Sequence, residues 1–214
     1  MRLDRFTVIS FVALVAAVIL HEIAHGVVAL WFGDDTAKRA GRLTLNPIPH
    51  VDPFGSIIVP ALGALSGAPV IGWAKPVPVD PRRLRHPRRD MLVVSLAGPG
   101  TNLLLMFASA LVARALYHPP AFGFTDLAGV PTGVQIALIF AAVNLFLGLF
   151  NLVPIPPLDG AALLERVLPR EWLPGWQRFR PYGVLVIFFL VFWGGFPGRV
   201  FDPFLERLYR FVLQ

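Results

Sequence analysis

From Phe6 to Phe32 the chain runs 27 residues with three ionisable side chains, His21, Glu22 and His25, in the run His-Glu-Ile-Ala-His. A stretch this long and this apolar reads as a bilayer-spanning helix, for which about 20 residues suffice. An ionisable side chain at the centre of such a helix costs about 2.5–3.5 kcal/mol on insertion scales unless it is paired, bound to metal or turned towards water. Three together therefore mark a working site. Positions i and i+4 lie one above the other on a helix, so His21 and His25 present two imidazoles to one point, with Glu22 rotated to the flank. Two histidines and an adjacent carboxylate at this spacing suit a zinc ion, with Glu22 taking a proton from a water on the metal. A histidine on an apolar helix is more often a packing residue. With five His and four Glu in the whole chain, chance is a poor account of three of them in five consecutive positions.

Composition places everything else in the membrane as well. The chain is 56% hydrophobic with a mean hydropathy of +0.66, beyond the ordinary range of a globular domain. Further apolar stretches run Met91 to Tyr117, Gly133 to Val153 and Pro181 to Pro197, and a weaker one, Phe54 to Trp73, is broken by Pro60, Pro69 and several glycines. The first stretch is too long for the apolar core of a cleaved signal peptide. The expected fold is an all-α polytopic membrane protein of about four transmembrane helices, a re-entrant segment at 54–73 and a C-terminal interfacial helix. There is no cysteine, so any metal must be held by His and carboxylate. The net charge of +6 comes from arginines in short loops beside apolar segments, which points to lipid headgroups rather than nucleic acid.

The run Pro81-Arg82-Arg83-Leu84-Arg85-His86-Pro87-Arg88-Arg89 is predicted to be cytoplasmic by the positive-inside rule, and the Lys- and Arg-free loop from His118 to Thr132 external. The 133–153 helix returns to Arg166, Arg170, Arg178 and Arg180, and the 181–197 stretch crosses again. In the first half, a spanning 54–73 segment puts the amino terminus in the cytoplasm, whereas the favoured re-entrant reading puts it outside, against which Arg2 and Arg5 weigh mildly. The last residues place Val200, Phe201, Phe204, Leu205, Leu208, Phe211 and Val212 on one helical face opposite most of the charges, the pattern of a helix lying at an interface. The chain thus divides into a core, 1–180, and a C-terminal helix with an amphipathic tail, 181–214.

Two histidines need a third protein ligand and an open position to make a catalytic zinc site. Asp159 is the candidate, at the end of an apolar helix that Pro154, Pro156 and Pro157 must break. Spacing leaves two roles open: metal ligand, or cap of a helix beginning at Gly160. His50, between Pro49 and Asp52, is an accessory candidate. It pairs with Asp52 on the favoured reading, and on the other it approaches the metal or gates substrate entry. Lys75 is read as snorkelling to the interface. Asn144, on a similar helical face to Asn151, is read as an interhelical hydrogen-bonding residue.

Three motifs in order, His21-Glu22-Ile-Ala-His25, Gly98-Pro-Gly-Thr-Asn102 and Asn151-Leu-Val-Pro-Ile-Pro-Pro-Leu-Asp159-Gly160, resemble those of the site-2 proteases, intramembrane zinc metalloproteases. The likeness runs from about Phe6 to Leu168. It includes Asn46-Pro-Ile-Pro-His50-Val-Asp52-Pro and Gly72-Trp-Ala-Lys-Pro-Val-Pro, which resemble the small bacterial and archaeal members without PDZ or CBS modules. The resemblance implies that His21, His25 and Asp159 bind one zinc per chain, that Glu22 is the general base, and that Asn102 and Asn151 hold substrate backbone or the oxyanion. It further implies a multi-pass protein of the cytoplasmic membrane that cleaves the transmembrane segment of a single-pass protein or a remnant signal peptide. A membrane zinc transporter and an inactive, client-binding relative are the competing readings. Glu22 argues against the first, because a transporter needs ligands along a path, and the intact motifs argue against the second.

Overall fold

A computed structural model describes residues 4–58, 74–118, 130–192 and 195–214 of the chain. Its helices are α1 (Arg5–Trp31), α2 (Thr36–Arg39), α3 (Pro87–Leu116), α4 (Thr132–Asn151), α5 (Ala161–Val167), α6 (Leu173–Phe179), α7 (Gly183–Phe192) and α8 (Phe196–Leu213), and no strand occurs among the described residues. Of these, α1, α3 and α4 are long and apolar enough to cross a bilayer. The protein is an all-α membrane protein.

Each long helix has a local reason to start where it does. Asp4 accepts the Thr7 amide at 2.7 Å and caps α1. Pro87 occupies the first turn of α3, where its missing N–H costs nothing, and Asp90 accepts the His86 amide at 2.7 Å. The three spans pack through small side chains: Ala17, Ala29, Ala113 and Ala141 are fully buried, letting the backbones approach closely. Phe11, Val12, Leu104 and Phe107 remain exposed, as apolar side chains facing lipid should be.

The fourth apolar stretch differs from its expected length. Its described helix, α7, has 10 residues, about 15 Å at 1.5 Å per residue and half a hydrocarbon core. Gly195, at φ 56°, sits in the left-handed region and redirects the chain into α8. Helix α8 carries the amphipathic pattern expected of it, and protein covers part of its apolar face, Phe204 and Phe211 staying exposed. Leu208 and Val212 join Ala110, Ala113, Val134, Leu138, Ala141 and Leu145 in one core, and Phe201 lies against Phe146 and Phe150. Helix α8 therefore shares its core with α3 and α4.

Most of the 54–73 segment lies outside the described residues, so its re-entrant reading does too. Its first residues form a π-helical turn, Pro53–Ile58. Beyond it, residues 74–80 run extended beside α1 towards α3. This stretch is pinned at three points: the Lys75 amide donates to His50 O at 2.9 Å, the Val77 amide to Glu22 at 2.7 Å, and the Asp80 amide to Asp34 at 2.7 Å. Gly26 makes room for it, since a Cβ there would stand 3.1 Å from Val77 and 2.5 Å from Leu43.

Candidate metal centre

His21 lies ten residues before the end of α1, about 15 Å along the helix. Its Nε2 stands 3.0 Å from that of His25. Asp159 comes in from the irregular turn after α4, its Oδ2 at 3.0 Å from His21 Nε2 and 3.3 Å from His25 Nε2. Both imidazoles are buried, and the Asp159 side chain keeps 22% of its exposure. Asp159 does not cap α5, whose N-cap is Gly160 with no side-chain cap bond. Gly160 allows the tight turn behind it: a Cβ there would stand 2.2 Å from Leu152 O.

The protonation pattern follows from the neighbours. His25 Nδ1 lies 2.7 Å from the backbone carbonyl of Val94, which can only accept, so the proton of a neutral ring sits on Nδ1. His21 Nδ1 lies 2.5 Å from Asn102 Oδ1 and donates in the same way. Each Nε2 then carries a lone pair. Two lone pairs and a carboxylate oxygen face one another, and Asp159 Oδ2 is buried with no hydrogen bond of its own. Three acceptors converging at about 3 Å suit a bound cation. Two donors 2.0–2.1 Å from a tetrahedral zinc stand about 3.3 Å apart, so the observed spacings fit that ion.

Helix α3 is shaped around this pair. Val94, Gly98 and Asn102 recur every four residues on one face and meet His25, both rings and His21 in turn. A Cβ on Gly98 would stand 2.4 Å from His25 Nε2 and 2.6 Å from His21 Nε2. Only glycine leaves space at the point where the lone pairs meet.

Glu22 is half-buried beside the histidines and outside the converging trio. Its Oε2 accepts the Val77 amide at 2.7 Å. In Pro76-Val77-Pro78 that is the one backbone N–H, and it goes to Glu22. Asn102 has different neighbours from those of an oxyanion donor. Its Nδ2 faces Asn144 Oδ1 at 2.7 Å and Ala17 O at 3.4 Å, and it is fully buried. Asn151 is half-buried at the end of α4 and donates to Leu147 O at 3.0 Å. His50 is outside the trio and does not pair with Asp52. Its Nε2 lies 3.0 Å from Thr44 O, whereas Asp52 accepts the Gly55 amide at 2.7 Å. Sequence reasoning gave no role to Gly98, Val94 or Val77. Gly98 and Val77 each lie in one of the family-like motifs, and Val94 carried no signal.

Two buried histidines, a half-buried carboxylate and a held glutamate inside a bundle of membrane helices have the makings of a hydrolytic metal centre. The family model described as Peptidase family M50 matches residues 128–193. A Bacillus subtilis protein named as a candidate zinc metalloprotease, YwhC, is 42% identical over 180 residues, covering 84% of this chain and 78% of that one. Rip2 of Mycolicibacterium smegmatis, named in the same way, is 32% identical over 173 residues, covering 80% and 62%. Zinc metalloprotease MJ0392 of Methanocaldococcus jannaschii is 24% identical over 167 residues, covering 78% and 36%. No solved structure matches. The chain belongs to peptidase family M50, the site-2 proteases, and is a zinc metalloendopeptidase of the membrane.

Proposed function

We propose that the enzyme, a multi-pass protein of the cytoplasmic membrane, hydrolyses a peptide bond within or beside the transmembrane segment of a single-pass protein, or in a remnant signal peptide. His21, His25 and Asp159 hold the zinc. When bound, zinc supplies Lewis acidity to the peptide carbonyl and to water. Glu22 takes the proton of the attacking water at Oε1 and passes it to the departing amine, while the Val77 amide holds Oε2 and so aims the carboxylate. Asn151 faces the substrate. Its second amide hydrogen has no protein partner among the described residues, which suits a developing oxyanion. Partial exposure of Asp159 marks the side from which water reaches the centre.

The observation that carries this reading is the buried convergence of three acceptors next to a carboxylate that is not one of them. The test separates metal from base. Glu22→Gln should keep about one zinc per chain by elemental analysis and lose roughly 10²–10⁴ in cleavage rate of a single-pass membrane substrate. Turnover retained by this variant would remove Glu22 from the mechanism.

A further inference from the structure

We propose that Asn144, in the middle of α4, controls the metal centre through Asn102, the two side chains forming an amide relay that sets which nitrogen of His21 carries the proton. The inference rests on His21 being a zinc ligand. Asn102 and Asn144 are both fully buried and belong to different spans.

The orientation of each amide can be read from the backbone inward. Phe140 O is a carbonyl and can only accept, so the Asn144 atom 2.9 Å from it is the NH2 group. That turns Asn144 Oδ1 towards Asn102, where it lies 2.7 Å from a nitrogen. The same Asn102 nitrogen is 3.4 Å from Ala17 O, a second acceptor. Asn102 must therefore present its oxygen to His21 Nδ1, at 2.5 Å. A neutral imidazole has one N–H, and placing it on Nδ1 leaves the Nε2 lone pair for the metal. Without Asn144, the contact restraining Asn102 is the long one to Ala17 O. A flipped Asn102 would offer NH2 to Nδ1 and push the ring proton to Nε2, where zinc must bind. Partners of metal-bound histidines act in this way on ligand orientation and basicity. Asn144 touches neither zinc nor substrate and is a positioning residue.

A buried amide pair between spans could instead serve only as adhesive, and the test is built to tell the two roles apart. Zinc affinity of the full-length chain in detergent is measured by competition with a chelator, alongside thermal unfolding of the zinc-free protein. Asn144→Leu should weaken zinc binding about 10- to 100-fold. Asn144→Asp, neutral when buried, can still donate to Phe140 O and accept from Asn102, and should bind within a few-fold of wild type. Adding Asn102→Asp to Asn144→Leu should restore affinity, because a carboxylate paired with a zinc-bound imidazole stays ionised, can only accept, and so enforces the Nδ1 proton by itself. An adhesive role predicts no rescue, since the interhelical bond stays lost. Wild-type affinity in Asn144→Leu, or failure of the double variant to regain zinc, overturns the proposal. Nitrogen NMR of His21 in the zinc-free wild type, at a pH where the ring is neutral, needs no variant. A proton on Nδ1 is expected, and a proton on Nε2 overturns it. Retained zinc in His21→Ala would instead overturn the ligand assignment beneath it.

Discussion

Two carboxylates, Asp34 and Asp159, each follow a long membrane helix, and they meet opposite surroundings. Asp34 is fully buried and saturated with donors. Oδ1 accepts the Thr36 amide at 3.0 Å and the Thr36 hydroxyl at 2.5 Å, and Oδ2 accepts the Asp80 amide at 2.7 Å. Asp159 Oδ2 faces two lone pairs and has no donor. Buried polar groups that complete their hydrogen bonds hold a fold together, and those that do not mark where something else must bind. Asp34 ties the turn after α1 to the extended stretch that carries the Val77 amide to Glu22. Asp159 completes the trio with His21 and His25.

Exchanging either residue should break a different property. Asp159→Ala should lose most of the zinc and all measurable proteolysis, while the zinc-free protein unfolds no earlier than wild type. Asp34→Ala should keep about one zinc per chain and lose stability, by about 1–3 kcal/mol for the buried donors left unpaired. Parallel zinc analysis and thermal unfolding would refute the contrast if both variants lost metal equally.

Smaller effects sharpen the picture. Gly98→Ala places a methyl group between the imidazoles and should weaken zinc binding, with an overpacking cost of about 1–3 kcal/mol. Chelator competition reads this directly, and unchanged affinity would mean that α3 yields more easily than its packing implies. Val77→Pro deletes the N–H that holds Glu22, whereas Val77→Ala keeps it. The proline variant should lose activity at unchanged zinc content, and equal rates in the two variants would remove the amide from the mechanism.

The smallest effect is on pH dependence. Burial pushes the Asp34 carboxyl up, but the Thr36 hydroxyl, the Asp80 and Thr36 amides and the Arg83 charge outweigh it and hold the group below its ordinary 3.8. A group whose folded pKa is depressed stabilises fully above its unfolded value and loses that contribution as pH falls through the folded one. Stability should therefore drain below about pH 4, and Asp34→Asn should flatten that limb of the unfolding curve.

The parts of the site legible in the sequence are those carried by one element. His21 and His25 follow from a four-residue spacing, and Glu22 from adjacency. Asp159 was ambiguous by spacing, and its role as ligand or cap turned on the family likeness. What could not be read depends on which faces of separate helices meet. The Val94 carbonyl has no side-chain signature. Val77 acts through a backbone amide that any residue but proline supplies. Asn144 was read as interhelical, which is true of its contacts and silent about their direction. The same holds for α8, whose apolar face is evident and whose covering surface is not. His50 was assigned to Asp52 because imidazoles commonly pair with carboxylates, but Asp52 caps the following turn instead.

The stripe of Val94, Gly98 and Asn102 has a mechanical consequence. Rotating α3 by one residue swings the stripe about 100° away from α1, withdrawing both acceptors and filling the glycine gap in a single movement. The two helices thus behave as a vernier that reads true at one setting, and metal affinity becomes a gauge of that setting. Since a ligand stabilises the form it binds, loading the centre clamps α1 against α3.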